Sequence, residues 1–510
     1  LLEGAATHEG DGYYTEGRLA YYLKGWVAGR YLVTSAFDSG VREFADLFAD
    51  LDRDGDDRFF TRLDPDRLYP VYGDSCTIVH DAQSQGKFYL AVEGEDLNLT
   101  VGNYPLSLTG ADLAAYRRTL FGGRAEYRSV ATTRYGQPRT EVTVLGAELR
   151  QEHVRDELRG TGGSLYYLSQ QRVLEGSEQV ALVIRDQNTG LELARIPQLP
   201  QLDYTFKHEE GRLLFHRPVP SVVEGTSLVS TAILSGNQVF IEVDYERRAP
   251  SLDNSLLGAR ASRHLGDHLR VGGTYVHDDL DASGYELAGA EAEVRLGEGT
   301  RLSAEVAGSS GGAPRVFASE DGGLTWTQSL ASAAAEGDAW KAAAELDIGE
   351  ALGLQRRLRT FGYVRRLDPG FYSGASLADL GARKEGLGAE VDLPGAGTVA
   401  VRHDRERRLG GGLFTTTAPG STRLTSGTWR RSWGRWDLAA QYQSRAVRDS
   451  VGNETLSCGY LAARLAVRLN ENLSAELKQQ SAVSGGADDR TSLGLRYQPL
   501  RALSLQGEGM

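Results

Sequence analysis

Trp436-Asp437-Leu438-Ala439-Ala440-Gln441-Tyr442-Gln443 decides how this chain is read. Trp436, Leu438, Ala440 and Tyr442 occupy every second position, and Asp437, Ala439, Gln441 and Gln443 fill the places between. A period of two puts one set on each face of a strand, whereas a helix would return its apolar residues every three or four positions. The same alternation recurs at Ala288-Ala290-Ala292-Val294-Leu296, Trp340-Ala342-Ala344-Leu346-Ile348, Leu387-Ala389-Val391-Leu393, Leu461-Ala463-Leu465-Val467-Leu469 and Leu493-Leu495-Tyr497. Read this way, the chain from Leu256 to its end holds about fourteen strands.

The connections between them alternate in length. Tight turns fall at Leu265–His268, Leu296–Gly299, Leu393–Gly397, Ser432–Gly434, Leu469–Asn472 and Gln498–Arg501. Longer Gly- and Ser-rich stretches fall at Gly308–Gly337, Asp368–Lys384, Arg405–Thr422 and Ser481–Arg490. Short turns at one rim and long loops at the other are expected of antiparallel up-and-down strands in a membrane barrel. The apolar positions are mostly small, with aromatics near strand ends, and the other face carries Glu, Arg, Gln and Ser. That suits a lipid face and a wet interior better than an interdigitated core, which is the competing reading as a soluble all-β protein.

Composition narrows the classes further. The 510 residues carry a net charge of −13, which disfavours a nucleic-acid partner because neutralising phosphates needs a basic face. Two cysteines, Cys76 and Cys458, give neither a disulfide framework nor a thiolate zinc site. No run approaches the ~18 apolar residues of a membrane-spanning helix. Of the 56 basic residues six are Lys, so Arg dominates. The chain opens on Leu1-Leu2-Glu3 and has its one Met at position 510, which reads as a piece of something longer, truncated at its C-terminus.

The first 150 residues predict three hairpins, about Gly25-Trp26, Gly94-Glu95-Asp96 and Gly122-Gly123. They are either the first barrel strands or a separate β-domain. Between Arg155 and Arg248 the texture changes to short strands spaced about every ten residues, with near-continuous apolar runs such as Val180–Ile184. That spacing predicts a small immunoglobulin-like β-sandwich over residues 155–249, inserted before barrel strands that fill 255–510.

Three motifs carry candidate chemistry. Asp50, Asp52, Asp54 and Asp56, with Gly55 among them, space carboxylates as the first half of a Ca²⁺ loop does, so Ca²⁺ is the one cofactor expected. The pattern departs at position 12, where Thr61 replaces the bidentate Glu. Ser319-Glu320-Asp321-Gly322-Gly323-Leu324-Thr325-Trp326 resembles the Asp-box of sialidase-like propellers, in which an Asp accepts backbone N–H groups while Trp covers a hairpin. The Arg clusters Arg356–Arg359, Arg365-Arg366, Arg405–Arg408 and Trp429-Arg430-Arg431 fall near strand ends, where they pair with interior carboxylates or meet anionic head groups; a ring of Arg in a constriction is the sharper alternative. No catalytic triad or other enzymatic spacing stands out, and no catalytic residue is assigned.

The strand alternation and turn asymmetry of Leu256–Met510 resemble Gram-negative outer-membrane β-barrel proteins as an architectural class. The resemblance implies an all-β chain, a large antiparallel up-and-down transmembrane β-barrel with a small inserted β-sandwich, in the cell outer membrane. It implies a pore, transporter or surface-export component that is not an enzyme, with outer-membrane lipid around it and an envelope protein as partner through residues 155–249. Two alternatives accompany it: a barrel-anchored surface or periplasmic adhesion protein, and a secreted Asp-box hydrolase or lectin. Barrels of this class usually finish on a C-terminal aromatic residue, whereas this chain ends Gln506-Gly507-Glu508-Gly509-Met510.

Overall fold

The computed structural model describes residues 16–39, 42–43 and 88–509, apart from 109, 150, 175, 224, 226, 230–235, 249–253, 280–283, 313–314, 329–334, 352, 354–357, 375–378, 411–418, 471, 486–488 and 501–502. The Asp50–Asp57 loop lies outside the described residues. One large antiparallel sheet takes up most of the chain, as the alternation predicts. It starts at Ala20–Val27, Tyr31–Asp38, Phe88–Glu93, Leu97–Leu108, Tyr116–Arg128 and Thr140–Leu149, each paired with the next. Thr140–Leu149 then pairs with Asn254–Leu265, so the hairpins of the first 150 residues and the strands after Leu256 belong to the same sheet. From there neighbours in sequence remain neighbours in space through to Leu503–Gly509.

Among the described residues, strands of this sheet expose apolar side chains on one face and cover polar ones, with an apolar cluster about Leu256, Val276 and Leu287, on the other. On Trp436–Arg448, Tyr442 is 46% exposed while Gln441 and Gln443 are 3% and 2% exposed. Leu257, Val306, Leu387, Val401, Leu461 and Leu493 are likewise exposed, and Glu291, Glu305, Lys384 and Asp404 are buried. We call the face that covers its charges the inner face and the apolar one the outer face. In water such a sheet would forfeit the hydrophobic term on its exposed leucines and bear a desolvation cost on its buried carboxylates.

Two hairpin expectations are corrected. Gly122 and Gly123 lie within the continuous strand Tyr116–Arg128 and form no turn. A Cβ at Gly122 would collide with the carbonyl of Gly146 and with Ala147, so glycine is required there by the close approach of the neighbouring strand. The first hairpin turns at Ala28 and Gly29, both with positive φ, and not at Gly25-Trp26. The hairpin about Gly122-Gly123 predicts a strand over Asp112–Phe121, but the strand starts at Tyr116 and residues 110–115 fold against the inner face. Their backbone N–H groups, those of Asp112 and Leu113, donate to the carboxylate of Glu305 on the wall at 2.9 and 2.8 Å.

The shortest turns all leave from one end of the sheet and the longest connections from the other, although residues 129–139 and 348–357 are longer connections at the short-turn end. Turns of two or three residues follow Val27, Glu93, Leu265, Leu393 and Trp433. The opposite end carries the segment between Thr140–Leu149 and Asn254–Leu265, which is by far the largest described connection. Within it, Gln151–Arg159, Gln179–Arg185, Glu192–Gln198, Val222–Val223 and Asn237–Arg248 form a second sheet, and Leu165–Tyr167, Arg212–Phe215 and Tyr204–Lys207 a third. The two share one apolar cluster of Val154, Leu158, Tyr166, Val180, Leu213, Ile241, Val243 and Tyr245, among others. A contribution from elsewhere completes the second sheet: Arg315–Ser319, from the loop after Arg301–Gly311, pairs in parallel with Gln151–Arg159.

Candidate functional site

The seam between this insert and the large sheet is the most densely charged interior region described. It is built by period-two alternation on two paired strands. On Asn237–Arg248, Ile241, Val243 and Tyr245 enter the insert's own core, so Glu242, Asp244 and Glu246 point the other way. On Gln151–Arg159, Val154 and Leu158 enter the same core, and His153, Arg155 and Glu157 share the charged face. Register sets His153 opposite Glu246, Arg155 opposite Asp244 and Glu157 opposite Glu242.

The wall strand Tyr116–Arg128 meets this face with Arg118. Its guanidinium donates Nε and Nη2 to the two oxygens of Glu246 at 2.9 and 2.8 Å, and Nη1 to Asp278 of the wall at 2.8 Å. Arg118 is 2% exposed, and one side chain therefore ties the insert to two wall strands in a buried setting. A fork of this kind fixes direction as well as distance, which a lysine would not do. Arg155 makes a second fork, to Asp244 at 2.9 and 3.0 Å, and also donates to the carbonyl of Gly374 at 3.0 Å. Gly374 belongs to the connection after Leu358–Leu367, and Arg117 donates to the same carbonyl at 2.6 Å. A Cβ on Gly374 would meet the backbone of Ala115, Tyr116 and Arg117 at about 3 Å, so this loop lies flat on the wall strand because it has no side chain there.

Electrostatics within the insert follow from this crowding. Burial alone would raise the carboxyls of Glu242, Asp244 and Glu246; the charge of Arg155 beside the first two, and of Arg118 beside the third, holds all three below the ordinary carboxylate range. Burial opposes protonation of His153, but its hydrogen bonds to Asp244 at 3.3 Å and Glu246 at 3.1 Å prevail and raise its pKa. On the other side of the strand, burial pushes Asp156 up to about 7, against hydrogen bonds from Ser169 and Tyr245.

The insert also reaches strands far along the sheet. Lys384 Nζ donates to the carbonyl of Thr189, and Arg402 lies 3.9 Å from Asp186. Ser227 Oγ donates to Gln443 at 3.1 Å, the backbone N–H of Leu228 to Gln441, and Val229 packs with Cys458, Tyr460 and Ala462. The insert thus touches the inner face of the sheet at widely separated strands.

The other sequence candidates fall out as follows. Asp321 accepts bonds from Ser319, Leu324 and Thr325, and Trp326 Nε1 donates to Gly323, so the Asp-box residues close a hairpin turn as expected. The hydroxyl and backbone N–H of Thr325, with the Ser319 hydroxyl, hold the Asp321 carboxyl well below its ordinary value. That hairpin seats on the insert, where Tyr167 N–H donates to Gly322 at 3.1 Å and Phe317 meets Trp326 edge-on. His277 pairs with Asp279 at 3.1 Å, and among the described residues no group of three His, Cys, Asp or Glu side chains is placed to hold a metal ion. Sequence reasoning missed the seam because Gln151–Arg159 carries six ionisable residues and has the look of a solvated stretch. The alternation of Glu242, Asp244 and Glu246 with Ile241, Val243 and Tyr245 was the signal that could have found it.

No family profile matches this chain, and no curated protein does. Two of the solved structures on which it superposes are usher pores. One, the crystal structure of the usher PapC translocation pore, aligns over 97% of this chain and 94% of its own at 11% identity and a TM-score of 0.22. The other, the structure of the P pilus usher PapC translocation pore, aligns over 95% and 89% at 10% identity and a TM-score of 0.24. Superpositions this loose carry no argument, and the function is read from the chain's own geometry.

Proposed function

We propose that the chain is an outer-membrane β-barrel pore or export component whose lumen is filled by Gln151–Arg248, with the large sheet closing between Ala20–Val27 and Leu503–Gly509. The reach of the insert carries this reading. Its contacts on Tyr116–Arg128 and on Trp436–Arg448 lie eleven strand pairings apart. Laid flat, eleven spacings of ~4.8 Å separate those strands by about 53 Å. A body of ~100 residues has a radius of gyration of ~13 Å and hence a diameter of about 34 Å. A flat sheet would put one set of contacts out of reach, while a sheet rolled around the insert brings both to hand. An open sheet of this size would also exceed the ~10 strands beyond which sheets curl. The apolar outer face then meets hydrocarbon, and the covered charges line a wet interior.

Conductance across a planar bilayer tests the reading with the full chain. A resting protein of low conductance whose Arg118→Met variant opens to discrete, larger steps is the expected result. The buried Arg118–Glu246 fork favours a second reading, in which the insert never leaves and the barrel anchors an exposed binding surface. A folded, heat-modifiable Arg118→Met protein that stays closed would sink the pore and leave the anchor. Ca²⁺ at Asp50, Asp52, Asp54 and Asp56 is a separate proposal, removed by a thermal stability that chelator does not change.

A further inference from the structure

The outer face of the strands Ala382–Leu393, Gly397–Arg408 and Gly420–Trp433 carries a charge arrangement that the sheet itself does not balance. Leu387 and Val401, 64% and 53% exposed, mark this face. Counting back by twos from Leu387 places Glu385 and Arg383 with it, and counting forward from Val401 places His403, Arg405 and Arg407. Register sets Arg383 beside Arg407, Glu385 beside Arg405, and Arg405 beside Arg423 of the next strand. Residues directly opposite in an antiparallel pair sit within ~5.5 Å of each other, and like charges there destabilise the pairing.

One carboxylate serves the whole group. Glu385 lies 3.0 Å from Arg383 and 3.6 Å from Arg405. Among the described residues, no ion pair joins Arg407 or Arg423 to a carboxylate. The inner face of the same strands behaves differently: Lys384 pairs with Asp379 at 2.6 Å, Arg402 with Asp404 at 2.6 Å, and Arg408 with Glu406 at 3.1 Å. Four guanidinium groups against one carboxylate, in a chain whose net charge is −13, call for an anion from outside.

A groove of about 380 Å³ passes between Glu385, Leu387, His403, Arg405 and Arg423. Its depth identifies the anion. Arg405 and Arg407 stand eight and ten residues beyond Gly397, which at ~3.4 Å per residue and a tilt of ~40° is about 21 and about 26 Å along the membrane normal from the short-turn rim. The apolar band of a membrane barrel is ~25 Å tall, so the group lies where hydrocarbon gives way to head groups, on the long-loop side. Arginine forks match phosphate oxygens two at a time. Resting on the barrel reading, we propose that Arg383, Arg405, Arg407 and Arg423 form a binding site for the phosphate-bearing head group of an outer-leaflet lipid, whose acyl chains run down over Leu387 and Val401.

The test uses the full chain in detergent micelles and in phosphatidylcholine vesicles, with bisphosphorylated lipid A as probe and dephosphorylated lipid A and inorganic phosphate as controls. Wild type is expected to retain the bisphosphorylated lipid, by native mass spectrometry, in preference to the dephosphorylated one. Replacing Arg405, Arg407 and Arg423 together by Gln is expected to weaken retention roughly tenfold or more. Glu385→Gln, which removes the opposing charge, should strengthen it. Equal retention by a triple variant that still shows heat-modifiable mobility overturns the site. Equal retention of dephosphorylated lipid also overturns it, as does displacement by millimolar inorganic phosphate, which would make this a free-anion site. If wild type fails to float with vesicles, the barrel reading itself falls and the lipid site with it. A protein that floats but shows no phosphate preference removes the site alone.

Discussion

Trp436–Arg448 in the large sheet and Asn237–Arg248 in the insert both alternate apolar with polar residues, and they put the same pattern to opposite uses. The wall strand turns Tyr442 outward and covers Gln441 and Gln443. The insert strand covers both sides, with Ile241, Val243 and Tyr245 in an apolar core and Glu242, Asp244 and Glu246 against the wall. Period two therefore specifies that a strand has two faces without specifying which medium either face meets. The medium follows from what satisfies the polar side: neighbouring side chains and the insert for the wall strand, guanidinium forks for the insert strand.

Five substitutions would break or sharpen this contrast. The largest effect is expected from Arg118→Met, which leaves Glu246 and Asp278 buried without their shared cation. Breaking a buried pair in this way costs about 3–5 kcal/mol, and limited proteolysis of the insert should accelerate to match. Next comes a pair on one strand. Ala342 is exposed on the outer face and Ala343 lies on the inner one. Arg at 342 should cost about 2–4 kcal/mol in urea unfolding from vesicles, and Arg at 343 much less. A difference of the opposite sign would reverse the assignment of the faces.

Acidity gives a smaller and more specific effect. The raised pKa of His153 means that its contribution is fully present below about 6.5 and is lost as pH rises through the folded value. Asp156, raised to about 7, acts in the same direction, its contribution being lost between about 4 and 7. The lowered pKa values of Glu242, Asp244 and Glu246 act oppositely, since their contribution is present above about 4.5 and is lost as pH falls below it. The insert should thus be held most firmly near about pH 4.5, weakening first as Asp156 ionises and further above about 6.5 as His153 loses its proton. His153→Gln should flatten the alkaline side in a proteolysis series, and an unchanged slope would remove His153 from the account. The smallest effect is expected from Asp321→Asn, which loosens the hairpin on the insert and should speed cleavage there without altering heat-modifiable mobility.

The large sheet was legible in sequence because each wall strand repeats one simple pattern many times over. Trp340-Ala342-Ala344-Leu346 and Leu461-Ala463-Leu465 fall on the outer face as the alternation indicates. Where the strand breaks that pattern for a local reason, legibility ended. Gly122-Gly123 reads as a turn because glycine usually marks one, yet here it answers the close approach of Gly146. Thr140–Leu149 was not recognised as a strand, and Gln151–Arg159 was missed because its charges are neutralised by residues about 90 positions away, such as Asp244 and Glu246. The outward Arg cluster was visible as Arg405–Arg408, and alternation alone sets Arg405 and Arg407 on one face and Arg408 on the other, but only register could show that Arg383 and Arg423 stand beside them.

The insert leaves the sheet after Thr140–Leu149 and returns to it at Asn254–Leu265, two strands hydrogen-bonded to each other. Both of its covalent attachments therefore lie at one point on the rim, like the two leaves of a hinge. A body tied so cannot diffuse away when its ionic seam parts, and re-docking is a first-order event at an effective concentration that short tethers set in the millimolar range. The rate at which that seam is lost would set how often the insert opens, re-docking would set how long it stays open, and neither would depend on protein concentration.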